Sequence, residues 1–146
     1  YEIFVNAQNH SETKNIYTCG QFYPQKNIIE FTITDTGIGF KNRINQRFKK
    51  NLTSTQAIQW ATNDRHTTKI GVSGGLGLAL LKEFIEKNKG KIQIISDDGF
   101  YQFDSKGEDI KLFHGSFPGS IVNLQFRTDD VSTYTLANEV SLNDIF

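Results

Sequence analysis

Cysteine is almost missing from these 146 residues. Cys19 stands alone, so no internal disulfide can form. It lies in a strand-like segment, where a small buried apolar role is expected rather than a reactive thiol. No apolar run approaches the length of a membrane span, and no signal peptide is visible. Together with the cysteine usage, this sets a cytoplasmic expectation. An excess of charge is missing too: 16 Lys and Arg balance 16 Asp and Glu. That excludes a global nucleic-acid surface. There are no internal repeats and no low-complexity tracts.

What is present suits one soluble globular domain with a sizeable core, since 37% of residues are hydrophobic and 22% charged. Charge is unevenly placed. Between Lys41 and Lys69 there are seven Lys and Arg against Asp64 alone, and acids dominate from Asp97 onward. The basic segment either steers a polyphosphate or is a solvated face. The chain opens on Tyr1 within a helical pattern that has no N-cap, so further sequence is expected upstream.

Residues 1–12 read as a helix with Ile3, Phe4 and Ala7 facing the core. Glu2 and Asn6, four apart, stack on a neighbouring stripe. Residues 15–23 read as a strand and 24–27 as a turn. Residues 28–34 read as a strand with Ile29, Phe31 and Ile33 on its buried side. It ends in Asp35-Thr36-Gly37-Ile38-Gly39, a carboxylate before two glycines that can turn sharply.

Residues 41–50 and 53–61 read as two short helices, the second capped by Thr53 or Ser54. The interval 41–73 lacks a strong core pattern and is expected to be a lid. Then comes Gly71-Val72-Ser73-Gly74-Gly75-Leu76-Gly77, running straight into an apolar helix to about Asn88. Glycines at a helix N-terminus make a site for an anion, most naturally phosphate. Alone the feature is more often just a tight turn. Gly90 is expected to stop this helix. Residues 91–96 read as a strand and Asp97-Asp98-Gly99 as a hairpin turn. Short strands are expected at 100–103 and 110–113, and a clear one at 119–127. Residues 129–146 are either a terminal helix or a linker. The order suits a mixed, mostly antiparallel sheet covered on one face by helices, an α+β fold.

Three motifs now stand in sequence: Glu2-x-x-x-Asn6, Asp35-x-Gly37-x-Gly39 and Gly74-Gly75-Leu76-Gly77-Leu78. In this order, with a lid between the last two, the chain resembles the GHKL ATP-binding family of DNA gyrase, Hsp90, histidine kinases and MutL. The resemblance covers residues 1–127. It implies the Bergerat two-layer α/β sandwich with ATP between the helices and the lid. It implies that Asn6 binds Mg²⁺ and that Glu2 orients or deprotonates an attacking water. It implies that Asp35 accepts the adenine amino group, with Gly37 and Gly39 passing close to the base. Gly75, Leu76 and Gly77 match the second glycine box at the phosphates, and Ser120 matches a Ser or Thr near the adenine. Lys69 either contacts the γ-phosphate or is an exposed loop lysine.

The sequence departs from the family pattern at Ser73, where a glycine is usual. Glu2 replaces the asparagine usual in histidine kinases. His10 is expected to be structural or solvent-facing rather than catalytic, and neither His66 nor His114 has a phosphoacceptor's setting. The resemblance implies an ATP-binding domain, residues 1–128, that depends on Mg²⁺ and either hydrolyses ATP or signals through lid closure. The alternatives are a protein kinase that passes the γ-phosphate to a partner, and a non-hydrolysing nucleotide sensor. The partner implied is another protein or another domain of the same chain.

Overall fold

The structure is a computed structural model, and it describes residues 13, 15–63 and 77–133. The helix expected over residues 1–12 lies outside them, as does the expected terminal segment beyond 133. Strand β1 (Ile16–Tyr23) and strand β2 (Ile28–Asp35) flank a single 3-10 turn, Pro24–Lys26. Helices α1 (Gly39–Phe48), α2 (Ser54–Thr62) and α3 (Gly77–Asn88) follow, then β3 (Lys91–Asp104) and β4 (Gly107–Arg127). The sheet is antiparallel throughout, in the order β1-β2-β4-β3. Helices on one face of such a sheet make the expected α+β sandwich.

Both late strands are longer than the pattern of short segments suggests, because each bends. The register of β3 on β4 shifts on either side of Asp97. Asp97 itself takes the left-handed conformation, φ 55°. Gln93 Nε2 donates to Gln102 Oε1 at 2.8 Å although nine residues separate them. A straight strand would set them roughly 30 Å apart. Strand β3 therefore bends sharply at Asp97–Gly99 but runs on to Asp104, and the hairpin turn expected at 97–99 falls instead at residues 105–106, between β3 and β4. The expected strands at 100–103 and 110–113 are the outer arms of β3 and β4.

The core lies between β3, β4 and the helices. Two apolar rows cross three strands: Ile92, Leu124 and Phe31, then Ile94, Val122 and Ile33. Ile58 of α2 and Ile85 of α3 close on them, with Tyr101 and Phe103 from the outer arm of β3. Each fully buried isoleucine contributes about 1.5–3 kcal/mol. Helices α1–α3 make their main contacts with β3 and β4. Two expectations fail for that reason. Ile29 and Phe31 share the face of Ile33, yet they are 41% and 39% exposed. Cys19, on the edge strand β1, is exposed rather than buried. Alternation names a face but not what covers it.

Helix α2 starts at Thr53, whose side chain and Gln56 form a reciprocal capping box. Its Ala57 and Ile58 are buried, as is Ile44 of α1. Residues 41–62 of the expected lid interval are thus largely helices of the layer over the sheet. The lid expectation narrows to 63–73, of which 64–73 lie outside the described residues. At the end of α3 the left-handed turn falls on Lys89, φ 55°, and Gly90 N–H donates to the Ile85 carbonyl at 3.0 Å. Gly90 is required by crowding: a Cβ there would come within 2.3 Å of the Gln125 carbonyl.

One polar cluster ties α2, α3 and the outer hairpin. Lys82 Nζ and the Tyr101 hydroxyl donate to Glu108 Oε1 at 2.5 and 3.0 Å, and Gln59 reaches Oε2 at 3.4 Å. The Lys82 hydrogen bond holds the Glu108 carboxyl below the usual carboxylate range, outweighing burial. Burial pushes the Tyr101 phenol up.

Candidate functional site

The rows across the sheet change character at one end. Beyond the two apolar rows comes a polar one: Ser96 of β3, Ser120 of β4 and Asp35 of β2, each in register with the next. Asp35 is 2% exposed and Ser96 is 1% exposed. Burying a carboxylate is expensive unless hydrogen bonds compensate it. Here Ser120 Oγ donates to Asp35 Oδ2 at 2.5 Å, and the Gly37 amide donates to Oδ1 at 2.8 Å. The second bond is local, since an aspartate readily accepts from the amide two residues on. Thr34 Oγ1 donates to the Ser120 carbonyl at 3.0 Å and fixes β4 against β2 at this point.

Two glycines are required by this packing. Gly119 has φ 90°, and a Cβ on it would lie 2.2 Å from the Asp35 carbonyl and 2.7 Å from the Gly37 amide nitrogen. Gly39 has φ 70°, and its Cβ would lie 2.6 Å from Ser96 Oγ and 2.9 Å from the Gly119 carbonyl. Strand end, turn and last strand are thus in backbone contact. Ser96 Oγ joins them, donating to the Gly119 carbonyl at 2.8 Å and accepting from the Phe40 amide at 3.0 Å.

The structure therefore brings together four residues singled out in the sequence: Asp35, Gly37, Gly39 and Ser120. Gly77 stands at the first position of α3. Glu2, Asn6, Lys69, Gly75 and Leu76 lie outside the described residues. Sequence reasoning missed Ser96 and Gly119. Gly119 precedes Ser120 and reads as part of a strand. Ser96 continues the alternation Ile92, Ile94, and only strand register sets it beside Ser120.

Next to this row, Asp97 and Asp98 hold helices α1 and α2. Lys41 Nζ donates to Asp97 Oδ2 at 3.0 Å, and Ser116 Oγ to Oδ1 at 2.7 Å. Ser54 Oγ donates to Asp98 Oδ1. The Ser116 hydrogen bond, then that of Lys41, holds the Asp97 carboxyl below its ordinary value. The Lys41–Asp97 pair is about 40% exposed on both sides and is worth at most about 1 kcal/mol.

A carboxylate has about four acceptor positions, and the protein uses two on Asp35. What remains is a fixed anionic acceptor at a sheet end beside a glycine turn. It suits a donor such as an exocyclic amino group, and Gly37 and Gly39 in the turn let a flat ring come close. Among the described residues no group of three or more His, Cys, Asp or Glu is placed to hold a metal ion. No helix among them is long and apolar enough to cross a membrane.

Comparison with known proteins agrees with this geometry. A family profile described as histidine kinase-, DNA gyrase B-, and HSP90-like ATPase matches residues 1–123. Among curated proteins none matches the chain.

Proposed function

The chain belongs to the family of histidine kinase-, DNA gyrase B- and HSP90-like ATPases, and from that premise we propose that Asp35 is its adenine acceptor and that it hydrolyses ATP. That the domain is an ATP-binding one follows from the family. The observation that carries the residue assignment is the hydrogen bonding of Asp35. It is buried, its two oxygens are oriented by Ser120 and Gly37, and it stands where β2 runs into the glycine turn. The adenine amino group supplies the donor that such an acceptor needs. Gly37 and Gly39 form the wall beside the base, and Ser120 keeps the carboxylate aimed.

The phosphates are assigned to Gly77 at the first position of α3 and to Gly75 and Leu76, which precede it in the sequence, since helix N–H groups and dipole favour anions. Lys69 adds a point charge there. Asn6, which matches the family's Mg²⁺-binding asparagine, would hold that ion, since a carboxamide oxygen suits a hard cation. The ion supplies charge neutralisation of the polyphosphate. Glu2 takes the proton of the attacking water, and closure of the lid, residues 63–73, over the nucleotide carries the signal to a protein partner or neighbouring domain. A cytoplasmic setting accords with this function.

Glu2→Ala tests the catalytic part. ATP affinity should stay within about threefold of wild type, while turnover falls by about 100-fold or more, the usual contribution of a general base. Release of phosphate at the wild-type rate by that variant would remove Glu2 from the mechanism.

A further inference from the structure

Helix α1 begins without a cap of its own. Its N-cap residue is Ile38, which offers no side-chain acceptor. The first amides of a helix have no partner within it and must find one elsewhere. The Phe40 amide finds Ser96 Oγ, 56 residues away on β3. The same hydroxyl spends its proton on the Gly119 carbonyl. A hydroxyl can do both at once, whereas a thiol does both weakly and a methyl does neither.

We propose that Ser96 is a positioning residue of the nucleotide site: from β3 it caps α1 and clamps the Gly37–Phe40 turn to β4, so that the wall beside Asp35 is formed before ATP arrives. The inference rests on Asp35 being the adenine acceptor. Three features support it. Ser96 is 1% exposed and occupies the polar row with Ser120 and Asp35. Gly39 leaves space for its oxygen, because a Cβ there would lie 2.6 Å from Oγ. Gly119 brings its carbonyl within reach through a left-handed φ of 90°. Ser96 touches no group that Asp35 uses directly, so it acts through the turn. A preformed wall saves the ordering cost that ATP would otherwise meet on binding.

The test compares ATP affinity by calorimetry in wild type, Ser96→Ala and Ser96→Thr, with backbone amide exchange as a second readout. Ser96→Ala should weaken ATP about tenfold, the effect of about 1.4 kcal/mol. Its Phe40 amide should exchange faster while amides in the β2–β4 ladder keep their protection. Ser96→Thr keeps the hydroxyl and should recover to within about threefold of wild type. If Ser96→Ala fails to fold, Ser96→Cys keeps the side-chain volume and should show the same loss of affinity. ATP binding by Ser96→Ala within twofold of wild type overturns the inference alone. So does a threonine variant as weak as the alanine one, or a loss of protection throughout the ladder. Failure of wild type to bind ATP overturns the Asp35 reading and this inference together.

Discussion

Asp35→Asn should abolish ATP binding at concentrations that saturate the wild type, a loss on the order of 100-fold, while the protein stays folded. The variant keeps the size and shape of the side chain. Its carboxamide oxygen can still accept from the Gly37 amide, and its NH₂ can donate to Ser120 Oγ once that hydroxyl turns. Both internal partners seen at 2.8 and 2.5 Å are therefore kept. The face left for the ligand is different. An N–H then opposes the amino group of adenine, and two donors meet. Loss of one hydrogen bond to a charged acceptor costs about 1.5–3 kcal/mol, and the opposed donors add to it. Calorimetry gives the affinity, and a thermal melt shows that the fold survives. An Asp35→Asn protein that binds ATP like wild type would take the base away from this pocket.

Gly119→Ala should damage the fold itself. Its Cβ would lie 2.2 Å from the Asp35 carbonyl, 2.7 Å from the Gly37 nitrogen and 2.7 Å from the Thr36 Cα. All three are backbone atoms, which cannot rotate away as a side chain can. The φ of 90° adds strain of about 1–3 kcal/mol for a residue with a Cβ. We expect a loss of about 3 kcal/mol or more by denaturant unfolding, together with loss of ATP binding. Gly115→Ala is the control. Nothing lies within 4 Å of its Cβ and its φ is not positive, so its stability should change by less than about 0.5 kcal/mol. Equal effects at the two positions would mean that the contact between β4 and the 35–37 turn does not hold the site.

The parts of this site that are legible in the sequence are those with short-range signatures. Asp35-x-Gly37-x-Gly39 shows an acceptor and a turn within five residues. Asp97-Asp98-Gly99 is equally local, yet it marks a bend within β3 rather than a hairpin turn. The pattern of Ile92, Ile94 and Ser96 carries no such sign. A serine after two isoleucines reads as the end of a strand, and only its register with Ser120 gives it meaning. Long-range crowding hides in the same way. Gly119 and Gly90 look like any glycines until a carbonyl from another strand approaches them.

Edge and centre are also invisible to a period of two. Ile29, Phe31 and Ile33 alternate faultlessly, but α1–α3 cover β3 and β4, so only Ile33 is buried. Cys19 is exposed for the same reason. In the interval 41–62 the opposite error arises. Its buried apolar residues are few, with Ile44 far from the adjacent Ala57 and Ile58, so the segment reads as part of a lid although these residues pack in the core.

The most direct measurement is a calorimetric titration of the protein with ATP and, separately, with GTP. Guanine carries a carbonyl where adenine carries its amino group, and an ionised Asp35 can accept but not donate. The account predicts saturable binding of one ATP per chain, with GTP weaker by about tenfold or more. Absence of ATP binding, or equal affinity for the two nucleotides, would contradict it.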